Sequence, residues 1–537
     1  MVLQGFIKKG EYFDSVSLMI VSKEVNALPG IADSAIVMGT AQNKDIVRGA
    51  NLYIKELFDT GDDTDLLIAL KAESEAVVKE TLTKIDDMFK ALRNKKDEGG
   101  TSFTPKSLEG AIDALPGANI SLISVAGRYA AREAMRALKK GLHVMLFSDN
   151  VSIEDELRLK KFAHDKGLIV MGPDCGTAVI NGVPLAFSNV LTRGDCGIVA
   201  ASGTGLQEVM TIISNEGAGI SQAIGTGGRD VKEAIGGIMF IDALRALAAD
   251  SATKVIVLVS KPPHESVLRK IAAEIKTIKK PVVGIFIGGD ASILESAGAI
   301  AGSTLEETAV IAAAATRMGA SRAATDGEKR GAASLAEIVD ASRKKIAERR
   351  GAIDAQAKEL AAKCRGRYMR GLFSGGTLCD ETQLICKDLI GFINSNAPLN
   401  PEYRLKDSFK SVGHTIIDLG EDEFTVGRPH PMIDFSLRNK KILEEAADKE
   451  VAIILLDLVL GYGSNMDPLA EFVPTFKKAK EIAPNVHIIC SITGTDGDPQ
   501  NRARVKAELE RAGAIMMPSN AAASELVGKV IRILEGK

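Results

Sequence analysis

The 537-residue chain has no tryptophan, and aromatic residues make up only 4 % of it. That scarcity removes the stacking platforms on which single-stranded nucleic acids are held. An excess of either charge is missing too. Lys and Arg number 67 against 70 Asp and Glu, a formal net charge of −3, which is no footprint for a phosphate backbone. The cysteines, Cys175, Cys196, Cys364, Cys379, Cys386 and Cys490, include no CxxC pair, so neither a disulfide framework nor a structural zinc site is indicated and a reducing, cytoplasmic setting is expected. The longest uncharged stretch, from Cys175 to Thr192, is broken by Asn181, Gly182, Pro184 and Asn189, too polar to span a bilayer. Lys8 and Lys9 are followed by Glu11 and Asp14 rather than by an apolar core, so no signal peptide is expected. A GxxxxGK[ST] loop is absent, and no GxGxxG opens a helix beside the strand at Ile120, where Ala126-Gly127-Arg128 follows instead.

What the chain does have is glycine, 51 residues or about 9.5 % against roughly 7 % in average usage, together with 45 % hydrophobic and 26 % charged residues. Such a composition suits several globular domains rich in tight strand-to-helix turns, three or four by length. Short apolar runs alternate with helical periodicity from about residue 104 onward, the pattern of βαβ units and parallel sheets. Strands are expected at 120–126, 143–147 and 168–171 in a first Rossmann-like unit (104–190). A second, flavodoxin-type unit (191–325) has strands near 196–202, 221–224, 254–260 and 281–287. A third (371–537) has them near 371–374, 414–419, 451–460, 487–492 and 515–517, again a flavodoxin-like layout. Residues 326–370 read as a mixed-charge helical connector, a solvated face rather than a nucleic-acid patch. Residues 1–95 read as a small α+β domain with strand-like runs at 16–21, 35–38 and 66–70 and a closing helix at 73–93, followed by a polar linker at 94–106.

Ligands of open α/β sheets sit at the carboxyl ends of strands, where glycine turns let backbone N–H groups and a helix N-terminus face an anion. Such turns follow strands at Gly172–Thr177, Ser202–Glu208, Gly225–Asp230 and Gly461–Asn465. Any one of them is more often a plain tight turn. Two carry hydroxyls in different domains, Ser202 and Thr204 with Gly203, and Ser464 with Gly461 and Gly463. Together they are expected to bring two helix N-termini onto one phosphate, each end worth about 0.3–1 kcal/mol when exposed and up to about 2 when partly buried. Asp174 and Cys175 in the first turn and Gly227 and Gly228 in the third are further pocket candidates. Cys175 reads either as a thiolate near backbone dipoles or, more simply, as a small buried residue. Among the histidines, His143, His264 and His487 sit at element edges where packing is the simpler role. His430, between Pro429 and Pro431 and after Arg428, is the better acid/base candidate. Asp457, flanked by apolar residues, reads as an orienting group for the Gly461 turn or as a solvated strand end.

The runs GPDCGTA (172–178), GIVAASGTGLQE (197–208) and IGTGGRD (224–230) resemble the α subunit of succinyl-CoA synthetase in order and spacing. LLDLVLGYG (455–463) and SITGTDGDP (491–499) resemble the carboxy-terminal domain of its β subunit. The fused arrangement is similar to the FdrA family of acyl-CoA synthetase-like proteins. The resemblance implies a phosphate-facing apparatus of Ser202, Gly203, Thr204 and Glu208 with Gly461, Gly463 and Ser464. Where those ligases carry a phosphorylated histidine in GHAGAI, this chain has Glu295-Ser296-Ala-Gly-Ala-Ile300, so Ser296 replaces it. Neither an ATP-grasp domain nor the GxTGxxG turn for a CoA pyrophosphate has a counterpart, so no cofactor is firmly expected and CoA is in question. A cradle without histidine or ATP loader suits a preformed acyl phosphate, with phosphate or carbamoyl phosphate as the ligand. The family resemblance implies a subunit that acts with companion subunits in converting oxalurate and phosphate to oxamate and carbamoyl phosphate. A hetero-oligomer, a homodimer or both are expected, and Arg229 is a candidate to orient the substrate carboxylate by a bidentate contact. The competing readings are an acyl-CoA ligase half and a non-catalytic scaffold. No nucleic-acid or membrane partner and no metal are expected.

Overall fold

The computed structural model describes the whole chain except residues 12, 14, 27, 98–104, 325–333, 426–428 and 537, and except the side chains of some further helical residues. Most of the expected linker, the start of the expected connector and Arg428 therefore lie outside the described residues. The chain divides into two compact units, 1–115 with 420–434, and 116–419 with 435–537.

The first unit contains β1 (Val2–Lys8), α1 (Ser15–Asn26), β2 (Ile31–Met38), α2 (Ala41–Gly49), α3 (Lys55–Phe58), β3 (Leu66–Ala72), α4 (Glu75–Asp97) and α5 (Leu108–Ala114). Its sheet is antiparallel in the order β1-β3-β2, with β3 central and almost wholly buried. The run 16–21, expected as a strand, lies in α1. Its buried Leu18, Val21 and Val25 recur at helical spacing and pack with Ile68, Leu70 and Phe89. The first strand is β1 instead.

The second unit opens with β4 (Ile120–Ile123), α6 (Gly127–Lys139), β5 (His143–Leu146), α7 (Ile153–Asp165) and β6 (Val170–Met171), a three-stranded parallel sheet ordered β4-β5-β6. The hairpin β7 (Thr177–Ile180) and β8 (Val183–Ala186) lies within the 104–190 stretch but joins the next sheet, pairing antiparallel with β10.

That sheet is built from β9 (Arg193–Ala201), α8 (Gly203–Asn215), β10 (Ile220–Gly225), α9 (Ile238–Ala249), β11 (Val255–Ser260), α10 (Glu265–Ile275), β12 (Val282–Phe286), α11 (Ala291–Ser296), β13 (Ile300–Ala301) and α12 (Leu305–Ala324). Its order is β13-β12-β11-β9-β10-β7-β8. The long α13 (Leu335–Ala361) follows, opened by a Ser334/Glu337 capping box. It is no solvated connector, because Val339, Ile353, Ala357, Leu360 and Ala361 enter the shared core.

The last sheet comprises β14 (Tyr368–Phe373), α14 (Gly376–Ile390), β15 (Asn394–Ser395), β16 (Thr415–Asp418), then α15 (Asp422–Thr425) of the first unit, α16 (Ser436–Ala447), β17 (Val451–Val459), α17 (Pro468–Ile482), β18 (His487–Thr493), α18 (Arg502–Arg511), β19 (Ala514–Met517) and α19 (Asn520–Leu534). Its order is β15-β16-β14-β17-β18-β19.

Without the hairpin and the short β15, both large sheets share the flavodoxin-like order 2-1-3-4-5. They do not bury separate cores. One apolar cluster runs from Ile198, Val209 and Val257 through Ala309 and Ile353 to Leu378, Leu455 and Val527, so helices between the sheets serve both. This sharing fixes one sheet's strand ends against the other's.

Candidate functional site

A sheet of this order has one switch point, the crevice beside the first strand where successive strands go to opposite sides. In the first large sheet it lies between β9 and β11, whose ends Ala201 and Ser260 are in register. The residues that follow are Ser202, at the N-cap of α8, and Lys261. In the second it lies between β14 and β17, which lead into the Ser374-Gly375-Gly376 turn and the Gly461 turn.

The two crevices are joined through helix N-termini. Ser202 Oγ is 2.6 Å from Thr377 Oγ1, a bond spanning 175 residues of sequence, and it also accepts from Gly205 N at 3.2 Å. The glycines permit this approach. A Cβ on Gly375 would lie 2.5 Å from Thr204 Cγ2, and one on Gly205 would lie 2.9 Å from Thr377 Cγ2. Gly375 provides no side-chain cap for α14, so that helix presents uncapped N–H groups, the condition for anion binding.

Charged groups surround the junction. Lys261 Nζ is 2.6 Å from Asp380 Oδ2. A Cβ on Gly376 would lie 2.5 Å from Asp418 Oδ2 and 3.9 Å from Lys261 Nζ, so glycine lets the Asp418 carboxylate approach the start of α14 closely. Burial opposes the Lys261 ammonium, but Asp380 and Asp418 outweigh it and hold its pKa above the usual lysine value. Burial raises the pKa of Asp380, with Lys261 acting against that rise. Asp457 fixes the turn from below. Its carboxylate accepts from Ser374 N and Ser374 Oγ, each at 2.8 Å, and pairs with buried Arg438 at 2.8 Å. It thus orients the Ser374 turn and is fully buried, unlike either expectation for it.

The expected partner of α8 was the Gly461 turn, and here the structure differs. Helix α17 begins only at Pro468, with Asp467 as its N-cap, so Gly461, Gly463 and Ser464 open no helix. They stand at the carboxyl end of β17 on the crevice's other flank. A Cβ on Gly461 would meet Ser188 O at 2.4 Å, one on Gly463 would meet the Phe187 ring at 2.8 Å, and Gln500 holds both Gly461 backbone groups. The Ser464 hydroxyl is buried without a partner. Asn189 ties this turn to α8, donating to Leu460 O and accepting from Gln207 Nε2.

The other expected residues divide further. Gly203 leaves open space where a Cβ would stand. Glu208 is buried away from solvent, accepting from Thr493 Oγ1 and from Asn520 N, and burial raises its pKa. It joins α8 to β18 and α19, which makes it a clamp between the sheets. Glu381 does the same from α14, accepting from Leu305 N and Asn520 Nδ2, both at 2.8 Å. Arg229 pairs with Glu156 at 2.8 Å and donates to Val151 O, both through Nη2, beside the buried Lys160–Asp230 pair, which anchors it against α7 while its side chain stays 41 % exposed. Asp174, Cys175, Gly227 and Gly228 gather where the turns after β6 and β10 meet, with Pro173 O 2.4 Å from a Cβ on Gly227. Burial pushes the Cys175 thiol up to about 12, which fits the small buried residue rather than the thiolate. Ser296 ends α11 and spends its hydroxyl on Ile293 O. His430 belongs to the first unit; its Nδ1 accepts from Met432 N, and burial pushes it down to about 4, so it is neutral at pH 7.

Sequence reasoning missed Gly375, Gly376, Thr377, Lys261, Asp380 and Asp418. The first three had a signal, since Ser-Gly-Gly-Thr directly follows an expected strand just as Ser-Gly-Thr-Gly does at 202–205.

The family-model matches agree with this architecture. Residues 193–336 match the succinyl-CoA ligase like flavodoxin domain, 372–530 the CoA-ligase domain, and 1–105 the AllF, heavy metal-associated domain. Residues 1–105 contain no Cys or His, and no cluster of three or more potential metal ligands exists among the described residues, so thiolate or imidazole ligation of a soft metal does not fit residues 1–105. The Escherichia coli K12 protein YahF is 40 % identical over 518 residues, 96 % of each chain. The α subunit of the ADP-forming succinate–CoA ligase of Staphylococcus epidermidis is 29 % identical over 180 residues, 32 % of this chain and 57 % of that subunit. Among solved structures, the dinucleotide-forming acetyl-coenzyme A synthetase 1 of Ca. Korarchaeum cryptofilum aligns over 82 % of this chain and 92 % of its own at 16 % identity and a TM-score of 0.34. No helix among the described residues is long and apolar enough to cross a membrane. The chain belongs to the FdrA family, which carries succinyl-CoA ligase-like and CoA-ligase-like domains behind an AllF-type N-terminal domain.

Proposed function

We propose that this chain is the acyl-phosphate-handling subunit of a carbamoyl-transferring complex that converts oxalurate and phosphate to oxamate and carbamoyl phosphate. The observation that carries the reading is the meeting of α8 and α14 at the Ser202–Thr377 bond, with two switch-point crevices opening on one junction. A hydrogen phosphate dianion suits this place because the helix ends supply N–H donors and positive dipole ends from two directions. Ser202, Gly203 and Thr204 flank it from one sheet and Gly375, Gly376 and Thr377 from the other. Phosphate oxygen attacks the ureido carbonyl carbon, the carbon–nitrogen bond to the oxamate portion breaks, and the departing nitrogen takes the proton the phosphate gives up. Holding nucleophile and carbonyl together is the main contribution asked of the protein. Companion subunits complete the complex in this reading.

A second reading, an acyl-CoA ligase subunit, is favoured by the succinyl-CoA ligase-like and CoA-ligase-like domain matches. One experiment separates the two. The full chain, purified with its natural companions, is given oxalurate and phosphate, and carbamoyl phosphate is trapped as citrulline with ornithine carbamoyltransferase. Phosphate-dependent citrulline supports carbamoyl transfer. Formation of a thioester from ATP, CoA and a carboxylic acid, with no citrulline, overturns it in favour of the ligase.

A further inference from the structure

Glu208 and Glu381 hold equivalent places in the two halves of the junction. Each stands six residues beyond the N-cap of its helix, Ser202 for α8 and Gly375 for α14. Each also reaches across to the other sheet. Glu208 accepts from the backbone N–H of Asn520, the first residue of α19, and Glu381 from that of Leu305, the first residue of α12. Asn520 joins the two acids, because its side-chain amide donates to Glu381 Oε2 at 2.8 Å while its backbone N–H donates to Glu208 Oε1 at 3.0 Å. The two helices of the anion grip are thus braced by carboxylates tied to one asparagine.

Both acids are almost fully buried, at 2 % and 3 % exposure, and no side-chain cation among the described residues forms an ion pair with either. The cations on neighbouring elements have acids of their own. Lys261 pairs with Asp380, Arg438 with Asp457, and Arg349 and Arg343 of α13 with Glu306 and Glu307 in the first turn of α12. Arg502 of α18 favours the Glu208 charge without bonding to it, and Asp457 opposes it. The N–H and hydroxyl donors around the pair support one negative charge, and nothing offsets a second one beside it. Burial raises both acids, Glu381 to about 7, and Glu208 adds to that rise.

We infer that Glu208 and Glu381 share one proton and that this proton enters with the anion, so that phosphate binding at the α8–α14 junction is coupled to protonation of the pair. The inference rests on the proposed phosphate site and adds its regulation. Six residues of helix separate each acid from its helix end, about 9 Å. At an effective dielectric constant of about 20, a unit charge at that distance changes the affinity for a monoanion by about 20-fold, and by more for a dianion. An ionised pair repels the anion and a protonated pair does not, so affinity falls as pH rises. Reciprocity makes the anion strengthen proton binding by the same factor. Neither acid touches substrate. Both are positioning residues, and the proton comes from solvent and returns to it.

The test is calorimetry on the full chain, purified with its companions and titrated with sulfate, which stays a dianion near neutral pH and contributes no proton of its own. Titrations in buffers of different ionisation enthalpy count the protons taken up per sulfate. Uptake of about half a proton is expected near pH 7.5, with affinity falling about 5- to 10-fold from about pH 6 to about pH 8. Glu208→Gln can keep its bonds, since the amide oxygen accepts from Asn520 N and the amide nitrogen donates to the Thr493 hydroxyl. Uptake shrinks in Glu208→Gln and in Glu381→Gln and vanishes in the double variant, whose sulfate affinity is flat with pH. The infrared difference spectrum of sulfate binding gains the carbonyl band of a protonated carboxyl in the unaltered chain and lacks it in the double variant. Sulfate bound by the unaltered chain without proton uptake overturns the inference and leaves the phosphate site standing. Unchanged uptake in a folded double variant also overturns it, because the proton then belongs to another group. If the double variant does not fold, the proton count and infrared band of the unaltered chain decide. If neither sulfate nor phosphate binds, the proposed site falls and the inference falls with it.

Discussion

Replacing Gly375 by alanine is the sharpest test of whether α8 and α14 act as one anion grip. The backbone there is extended, with φ −132° and ψ 117°, so alanine brings no conformational strain and its effect is steric alone. The added Cβ would stand 2.5 Å from Thr204 Cγ2, 2.7 Å from Thr204 Oγ1 and 2.8 Å from Thr204 Cβ. Because the Thr204 Cβ is itself among the crowded atoms, rotating that side chain brings no relief. Ordinary contact begins at 3.4 Å, so one helix end must withdraw by about 0.9 Å, the difference between 3.4 and 2.5 Å. Overpacking of this kind costs about 1–3 kcal/mol of stability.

The functional loss is expected to be larger than the stability loss suggests. Taking one helix end out of reach forfeits up to about 2 kcal/mol of anion binding, roughly 30-fold in affinity. A displacement of this size between nucleophile and carbonyl costs a further factor on the order of 100 in turnover. Phosphate affinity is read by calorimetry and turnover by trapped carbamoyl phosphate, on protein whose fold is checked by denaturant unfolding. Gly463→Ala is the matched control. That position has φ +80° and its Cβ would press on the Phe187 ring, so it loses stability while leaving the α8–α14 junction intact. A stable Gly375→Ala protein that binds phosphate within about twofold of normal would refute the grip. Loss of phosphate binding in Gly463→Ala instead would move the site to the Gly461 turn.

Asp457→Ala strands Arg438 as a buried unpaired cation and releases Ser374; a loss of about 3–5 kcal/mol in denaturant unfolding is expected, with turnover falling alongside. Glu381, raised from 4.5 to about 7 chiefly by burial, binds its proton more tightly folded than unfolded. Its contribution to stability is therefore full below pH 4.5 and is lost as pH rises to about 7, a swing of roughly 3 kcal/mol that Glu381→Gln should flatten in unfolding curves taken across that window. Native-state alkylation should label Cys364 first, since it is half-buried with a pKa of about 11, while fully buried Cys175, Cys386 and Cys490, each near 12, react only after unfolding. A chelator should leave the melting temperature unchanged, because no metal-holding cluster exists among the described residues.

Local physics was readable where one kind of pattern dominated. Fully buried strands such as Val255–Ser260 and Val451–Val459 are continuous apolar runs closed by turn residues, and both strand sets fell where expected. Residues 16–21 misled because an apolar run this short fits a strand as well as a helix face, and Leu18, Val21 and Val25 decide the matter only over a longer window. The 335–361 helix misled in the other direction. Its many charges describe its outer face, while Ile353, Ala357 and Leu360 describe the face that packs.

Lys261 and Asp380 had no local signal, because what defines them is each other's position across two sheets. Yet part of that long-range arrangement follows from rules that sequence can carry. Each flavodoxin-like order obliges its first strand to end at a switch point and to feed a helix whose N-terminus faces the crevice. Chain order marks those first strands as Arg193–Ala201 and Tyr368–Phe373, so the helices after Ser202 and Gly375 were the pair to consider. The Gly461 turn follows the third strand of its sheet, and its helix waits until Pro468. Counting glycines gave both turns equal weight; strand order separates them. The remaining requirement is that the two helices share a core, which Leu206, Val209, Leu378 and Cys379 meet by entering one cluster. That is a tertiary fact, and it turns two separate helix starts into a single site.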